Sequence, residues 1–223
     1  MVTPERVESL QTAWVRLLGG YGVGPAAAYP VFDRLVAAHA GPGRYYHTLE
    51  HVGEVLRVAD RLARFAGDPP AVLLAAWFHD AVYDPTRRDN EVESRRVAAD
   101  ELTAVGLPPG VVAHVGDMIL ATVHGTADAP VDSDTAVLLD ADLAILAAAG
   151  PRYRRYAADI RAEYAHVPDD AYRTGRAAVL EHFLARPRVY RTDVMFADGE
   201  AAARQNLAAE IAALRDGTQL PAG

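Results

Sequence analysis

The chain has 223 residues, 51% of them hydrophobic, and a formal net charge of −8, enough to bury a full core as one large domain or two small ones. It contains no cysteine, and all 22 of its Lys-plus-Arg residues are arginine. That excludes disulfides, thiolate zinc sites, thiol nucleophiles, Schiff-base lysines and a Walker-type phosphate loop. The acidic balance argues against binding a nucleic-acid polymer. No apolar run reaches the length of a membrane span, and MVTPERVESL has no basic region leading into an apolar one, so the expectation is a cytoplasmic protein without a signal peptide.

Helical character runs through almost the whole chain. Thr3-Pro4-Glu5 reads as a helix start, with Thr at the N-cap and Pro behind it, and Gly19-Gly20 reads as its end. Gly22-Val23-Gly24 resembles part of a dinucleotide fingerprint, but no strand precedes it, so a turn is expected. Further helices are expected over about 47–66, 70–82, 90–105, 109–123, 133–148, 151–164, 169–186 and 199–214. Breakers such as Gly41-Pro42-Gly43, Gly67-Asp68-Pro69-Pro70, Gly106-Leu107-Pro108-Pro109 and Gly150-Pro151 separate them. The arginine-rich stretch 152–161, RYRRYAADIR, reads as a solvated helix face. Only 187–196, PRVYRTDVMF, is β-like in composition, and it is too short to found a sheet. With no repeat, low-complexity tract or long linker, the expected fold is all-α: one helical bundle over 1–223.

The chemistry concentrates in a dispersed set of ionisable residues. In 71–84, AVLLAAWFHDAVYD, an apolar run ends on His79-Asp80, and Asp84 follows. Burying such groups without partners is costly, so they need hydrogen bonds or a metal ion. In HTLEH the Glu is at the fourth position rather than the second, which rules out a zincin helix. His47 and His51, four apart, are expected on one helix face. LLDADLAIL, 138–146, places Asp140 and Asp142 among apolar neighbours. Two imidazoles and two carboxylates from three helices make a mixed ligand set for Mn²⁺, Fe²⁺, Co²⁺, Zn²⁺, Ni²⁺ or Mg²⁺. Tyr45, Tyr46 and Trp77 are expected in the core, and His39, His114, His166 and His182 carry no motif.

His51, His79-Asp80 and Asp142 resemble the H…HD…D signature of the HD-domain metal-dependent phosphohydrolases. The wider pattern RYYHTLEHV, AAWFHDAVYD, DNEVES, ATVH, DADLAIL and IRAEY, over about 44–211, is similar to a bacterial branch of that superfamily. The resemblance implies an all-α HD-type fold with His51, His79, Asp80 and Asp142 as metal ligands, Asp140 being the rival to Asp142. Several nucleotide-cleaving members place a catalytic Glu where this chain has Tyr83; Asp84 and Glu91 are the substitutes expected to handle the proton. His124, Arg161 and Arg44 are the expected substrate-binding residues. His47 is expected to support the ligands from behind. Of Arg161 and Glu163, two apart in IRAEY, only Arg161 is expected to face the ligand. The implied reaction is metal-dependent hydrolysis of a phosphoester or phosphoanhydride in a small phosphorylated molecule, such as a nucleotide. The alternatives are a metal-containing regulatory protein that binds without turnover, and a di-iron enzyme that activates O₂.

Overall fold

The computed structural model describes residues 3–123, 130–218 and 220. Among the described residues ten α-helices follow one another: α1 (Pro4–Gly19), α2 (Pro25–His39), α3 (Leu49–Leu62), α4 (Pro69–Phe78), α5 (Asn90–Ala104), α6 (Pro109–Ala121), α7 (Ser133–Asp142), α8 (Gly150–Glu163), α9 (Asp169–Ala185) and α10 (Asp193–Asp216). Short 3₁₀ turns at Ala63–Phe65 and Leu143–Ala147 extend α3 and α7. The described residues contain no strand, and the all-α expectation holds. No helix among them is long and apolar enough to cross a membrane.

Local chemistry sets the helix starts. Thr3, Thr48, Asp68, Asp132 and Thr192 each accept a hydrogen bond from a backbone N–H in the first turn of the helix they precede. Each such cap contributes about 1 kcal/mol. Proline stands in the first turn of α1, α2, α4, α6 and α8, where its missing N–H has no intrahelical partner to lose. Gly22 takes φ 81°, a left-handed turn that only glycine enters freely, so the glycine pair does make a turn.

Helix α4 is the axis of the fold. Seven of its ten residues, from Ala71 to Phe78, are buried, as expected of a helix that is hydrophobic all round. It packs on α3, α5, α6 and α7. Trp77 and Phe78 reach outward to α1 and α2: the Trp14 ring lies 5.5 Å from Trp77 and 6.1 Å from Phe78, and Phe32 lies 5.8 Å from Trp77, all edge-on. Helices α9 and α10 pair at the other side.

Several expected boundaries shift, each for a physical reason. Helix α2 was not among the expected helices, and it contains a proline, Pro30. Pro30 is exposed, however, and Ala28, Val31, Phe32, Leu35 and His39 keep a helical spacing on the buried face. The 47–66 helix starts only at Leu49, because Thr48 is extended and caps it. His47 therefore lies in the preceding turn and does not share a helix face with His51. The 70–82 helix stops at Phe78, which leaves His79 as its C-cap and Asp80 in a turn. The β-like stretch 187–196 forms a loop and the first turn of α10. Two buried carboxylates fasten it: Glu200 accepts from Val189 N and Tyr190 N, and Asp140 from Arg191 N, Thr192 N and Thr192 Oγ1. Trp77 and Tyr46 are core residues, whereas Tyr45 is exposed.

Candidate metal centre

Three helix ends converge at one point. His51 is in the first turn of α3, His79 caps α4, Asp80 follows in the turn, and Asp142 is the last residue of α7. The carboxyl ends of α4 and α7 bring partial negative charge to this point and the amino end of α3 partial positive charge, a balance of two ends to one in favour of a cation. His51 Nε2 and His79 Nε2 are 3.2 Å apart. Asp142 Oδ1 lies 3.2 Å from the first and 3.6 Å from the second. Asp80 Oδ2 lies 3.1 Å from His79 Nε2 and 3.6 Å from His51 Nε2. His51, His79 and Asp142 form the mutually close group, all within 4.8 Å, and Asp80 stands beside it.

The donor atoms fit a metal ion. His79 Nδ1 is 3.0 Å from the Ala76 carbonyl, which can only accept, so the neutral ring carries its proton on Nδ1 and offers a lone pair at Nε2. That lone pair faces another imidazole and two carboxylate oxygens. Buried acceptors in contact repel one another unless a cation or a proton lies among them. Ligand bonds of about 2.0–2.2 Å to one ion place neighbouring donors about 3.0–3.6 Å apart, and the observed separations fall in that range. The proton affinities reflect the same pull. Burial pushes His79 down, but Asp80 and Asp142 override it and raise its pKa well above the ordinary value. Burial would raise the two carboxyls, yet the imidazoles hold both well below the carboxylate range.

A supporting layer surrounds the ligands. Buried Glu163 accepts from the backbone N–H of Tyr45, Tyr46 and His47 through Oε1, and from His47 Nδ1 and the Tyr83 hydroxyl through Oε2. These bonds hold its pKa down at about 2 against the pull of burial. The His47 ring stacks on Tyr83 with centroids 4.0 Å apart. His47 thus hydrogen-bonds and stacks beside the cluster from a loop, and it lines the cavity that opens there. Of the pair in IRAEY, Glu163 faces inward and Arg161 does not, the reverse of the expectation. Arg161 spends its donors on the Tyr164 and Val167 carbonyls and on Asp169. Arg44 is likewise committed, to the carbonyls of His47, Asp80 and Ala81. It braces the turn that carries Asp80 and has few donors left for a substrate. Asp140 is buried on the 191–192 backbone and takes no part in the cluster.

A cavity of about 590 Å³ opens on the ligands, bordered by His79, Asp80 and Asp142. Glu91, in the first turn of α5, lines it. Asp84 does not; its Oδ1 accepts from the backbone N–H and hydroxyl of Thr86, which lowers its pKa. Three arginines that the sequence reading passed over also line the cavity: Arg87, Arg88 and Arg176. Arg87 is paired with Asp89, and buried Arg176 with Glu210 and the Tyr156 hydroxyl. Arg88 makes no ion pair with a described residue. The rings of Tyr83, Tyr156, Tyr164 and Tyr172 form much of the wall. His124 lies outside the described residues. Comparison with protein-family models, curated proteins and solved structures gives no match.

Proposed function

We propose that the protein is a metal-dependent phosphohydrolase acting on a small phosphorylated molecule of about nucleotide size, in the manner of the HD-domain enzymes it resembles. The observation that carries this reading is the His51–His79–Asp142 group, with Asp80 beside it, at the border of a cavity of about 590 Å³. A divalent ion bound there supplies Lewis-acid polarisation of a phosphoryl oxygen and a more acidic water. The chain's own groups supply the rest. Glu91 is the carboxylate in the cavity available to take a proton from the attacking water, while Asp84 holds its loop. Arg88 has a free guanidinium fork for the phosphoryl oxygens. Tyr156, Tyr164 and Tyr172 offer an apolar wall for the organic part of the substrate.

The test is elemental analysis of purified protein, followed by phosphate release from mononucleotides and sugar phosphates with added Mn²⁺, Co²⁺, Ni²⁺, Zn²⁺, Fe²⁺ or Mg²⁺. One divalent ion per chain, or two, is expected, with its loss in a His51→Ala, Asp142→Ala double variant and metal-dependent turnover in the parent. Full metal occupancy in that double variant overturns the ligand assignment. Nucleotide binding without turnover under every metal would point to a regulatory protein, and two irons with an O₂-dependent product to an oxygenase.

A further inference from the structure

A second cavity, of about 310 Å³, lies on the other side of the ligand cluster, between α3, the 3₁₀ turn after α7 and the starts of α8 and α10. Tyr46, His51 and Asp142 border it, and Arg57, Arg61 and Arg152 line its walls. We infer that this cavity is an oxyanion site, taking a phosphate-type group either free or at the end of a small molecule.

Two unsatisfied buried atoms carry the inference. The Tyr46 hydroxyl and Arg152 Nη1 are both buried without a hydrogen-bond partner, and residue Tyr46 as a whole is only 6% exposed. Native proteins seldom leave such groups unpaired. Arg152 is held in place by Glu54, which accepts from Nε at 3.1 Å and from Nη2 at 2.7 Å. That clamp leaves Nη1 as the free nitrogen, and the guanidinium lies 5.9 Å from the Tyr46 ring. An arginine nitrogen can only donate, so the missing partner is an acceptor.

The charge around the cavity favours an anionic acceptor. Arg57 and Arg61 are one helical turn apart on α3 and sit on the same side. Arg57 makes no ion pair with a described residue, and Arg61 has only the Met195 thioether, 3.2 Å from its Nη2. Among the acids at the cavity, Glu54 is already paired with Arg152 and Asp142 belongs to the ligand cluster. Asp198 remains, exposed at the α10 side. Arg57 and the lightly held Arg61 line the same cavity as the residues of the two orphaned donors, a setting for a group with several acceptor oxygens. A volume of about 310 Å³ has room for a phosphate with a few carbons attached.

This inference does not depend on hydrolysis, and its test reads binding. Inorganic phosphate, glycerol 3-phosphate and acetate are titrated calorimetrically into the full-length protein as purified, at constant ionic strength. Tyr46→Phe removes an unbonded hydroxyl and keeps the ring, and Arg57→Gln changes an exposed residue, so neither threatens the fold. Each should weaken phosphate binding about tenfold, the worth of one charge-assisted hydrogen bond, with metal content unchanged. Arg88→Gln, which alters the larger cavity, should change this binding less than about twofold. Glycerol 3-phosphate binding as tightly as phosphate marks the terminal group of an organic molecule as the ligand, whereas phosphate alone marks the free ion. The inference is overturned if phosphate fails to bind at about 20 mM, well beyond ordinary affinities. It is also overturned if acetate binds as well as phosphate, or if Tyr46→Phe and Arg57→Gln both bind like the parent.

Discussion

Glu163→Gln should destabilise the protein by about 3 kcal/mol at pH 7 while leaving its shape intact. The side chain accepts five hydrogen bonds, three at Oε1 and two at Oε2, within 2.7–3.0 Å. Glutamine keeps one acceptor oxygen and turns the other into a donor, which must face the His47 ring and the Tyr83 hydroxyl. The fall in pKa from 4.5 to about 2 expresses how much the fold prefers the ionised form, about 3 kcal/mol at 1.36 kcal/mol per pH unit. Weakening five charge-assisted bonds to neutral ones gives a figure of the same order. Because the folded pKa is depressed, this stabilisation is complete above pH 4.5 and is lost as pH falls toward 2. Urea unfolding of parent and variant at pH 7, 5 and 3.5 measures it. The gap between them should be about 3 kcal/mol at the first two values and about 2 at the last. Thermal scans at pH 7 should show a drop of about 6–12 °C for a chain of this size. A gap under about 1 kcal/mol at pH 7, or one that does not narrow at pH 3.5, would refute the view that an ionised Glu163 holds the 45–47 turn.

Other substitutions separate chemistry from architecture. Glu91→Gln should lower turnover about 10²-fold or more with metal content unchanged, whereas Asp84→Asn should stay within about threefold of the parent, because its carboxylate is spent on Thr86; steady-state kinetics on the substrate found by the metal screen decides between them. Arg88→Ala should raise KM with kcat nearly constant, the signature of lost uniform binding. Arg161→Ala should lower thermal stability and leave KM alone, which calorimetric scans and kinetics together report. Asp140→Asn should cost about 2–4 kcal/mol in urea unfolding, because it weakens three hydrogen bonds to a buried charge, yet purified protein should keep its full metal content.

What the sequence made legible, and what it did not, divides by the range of the interaction involved. His79, Asp80 and Asp142 stood out because each sits beside an apolar run, where buried charge needs a partner, and His51 through its motif resemblance. The all-helical character was readable from caps and breakers, which act within a few residues. Helix α2 was missed although its buried face, Ala28, Val31, Phe32, Leu35 and His39, keeps a helical spacing around the exposed Pro30. Glu163 and Arg161 were placed on opposite sides of α8 correctly, but which side faced inward depended on the 45–47 turn, more than a hundred residues away. No periodicity carries that information. Asp140 and Asp142 posed a similar problem: both are acidic and both are in a buried segment, and apart from the motif resemblance it is the arrival of the 191–192 backbone that separates the anchor, Asp140, from the candidate ligand, Asp142. Arg88 and Arg176 escaped notice because no local pattern marks an arginine that borders a cavity.

The anchoring of α7 also has a consequence for the order of events during synthesis. Translation delivers all four candidate ligands before Arg191 and Thr192, the backbone that Asp140 grips two residues from Asp142. A nascent chain can therefore gather the ligands and capture an ion while α7 still lacks its clamp, since domains begin to organise as they emerge. An ion bound at that stage would be held by a helix end that still lacks its Asp140 anchor. If the cluster binds an ion, its retention should depend on the 191–192 clamp, so a chain ending before Arg191 should hold metal less tightly than the full chain.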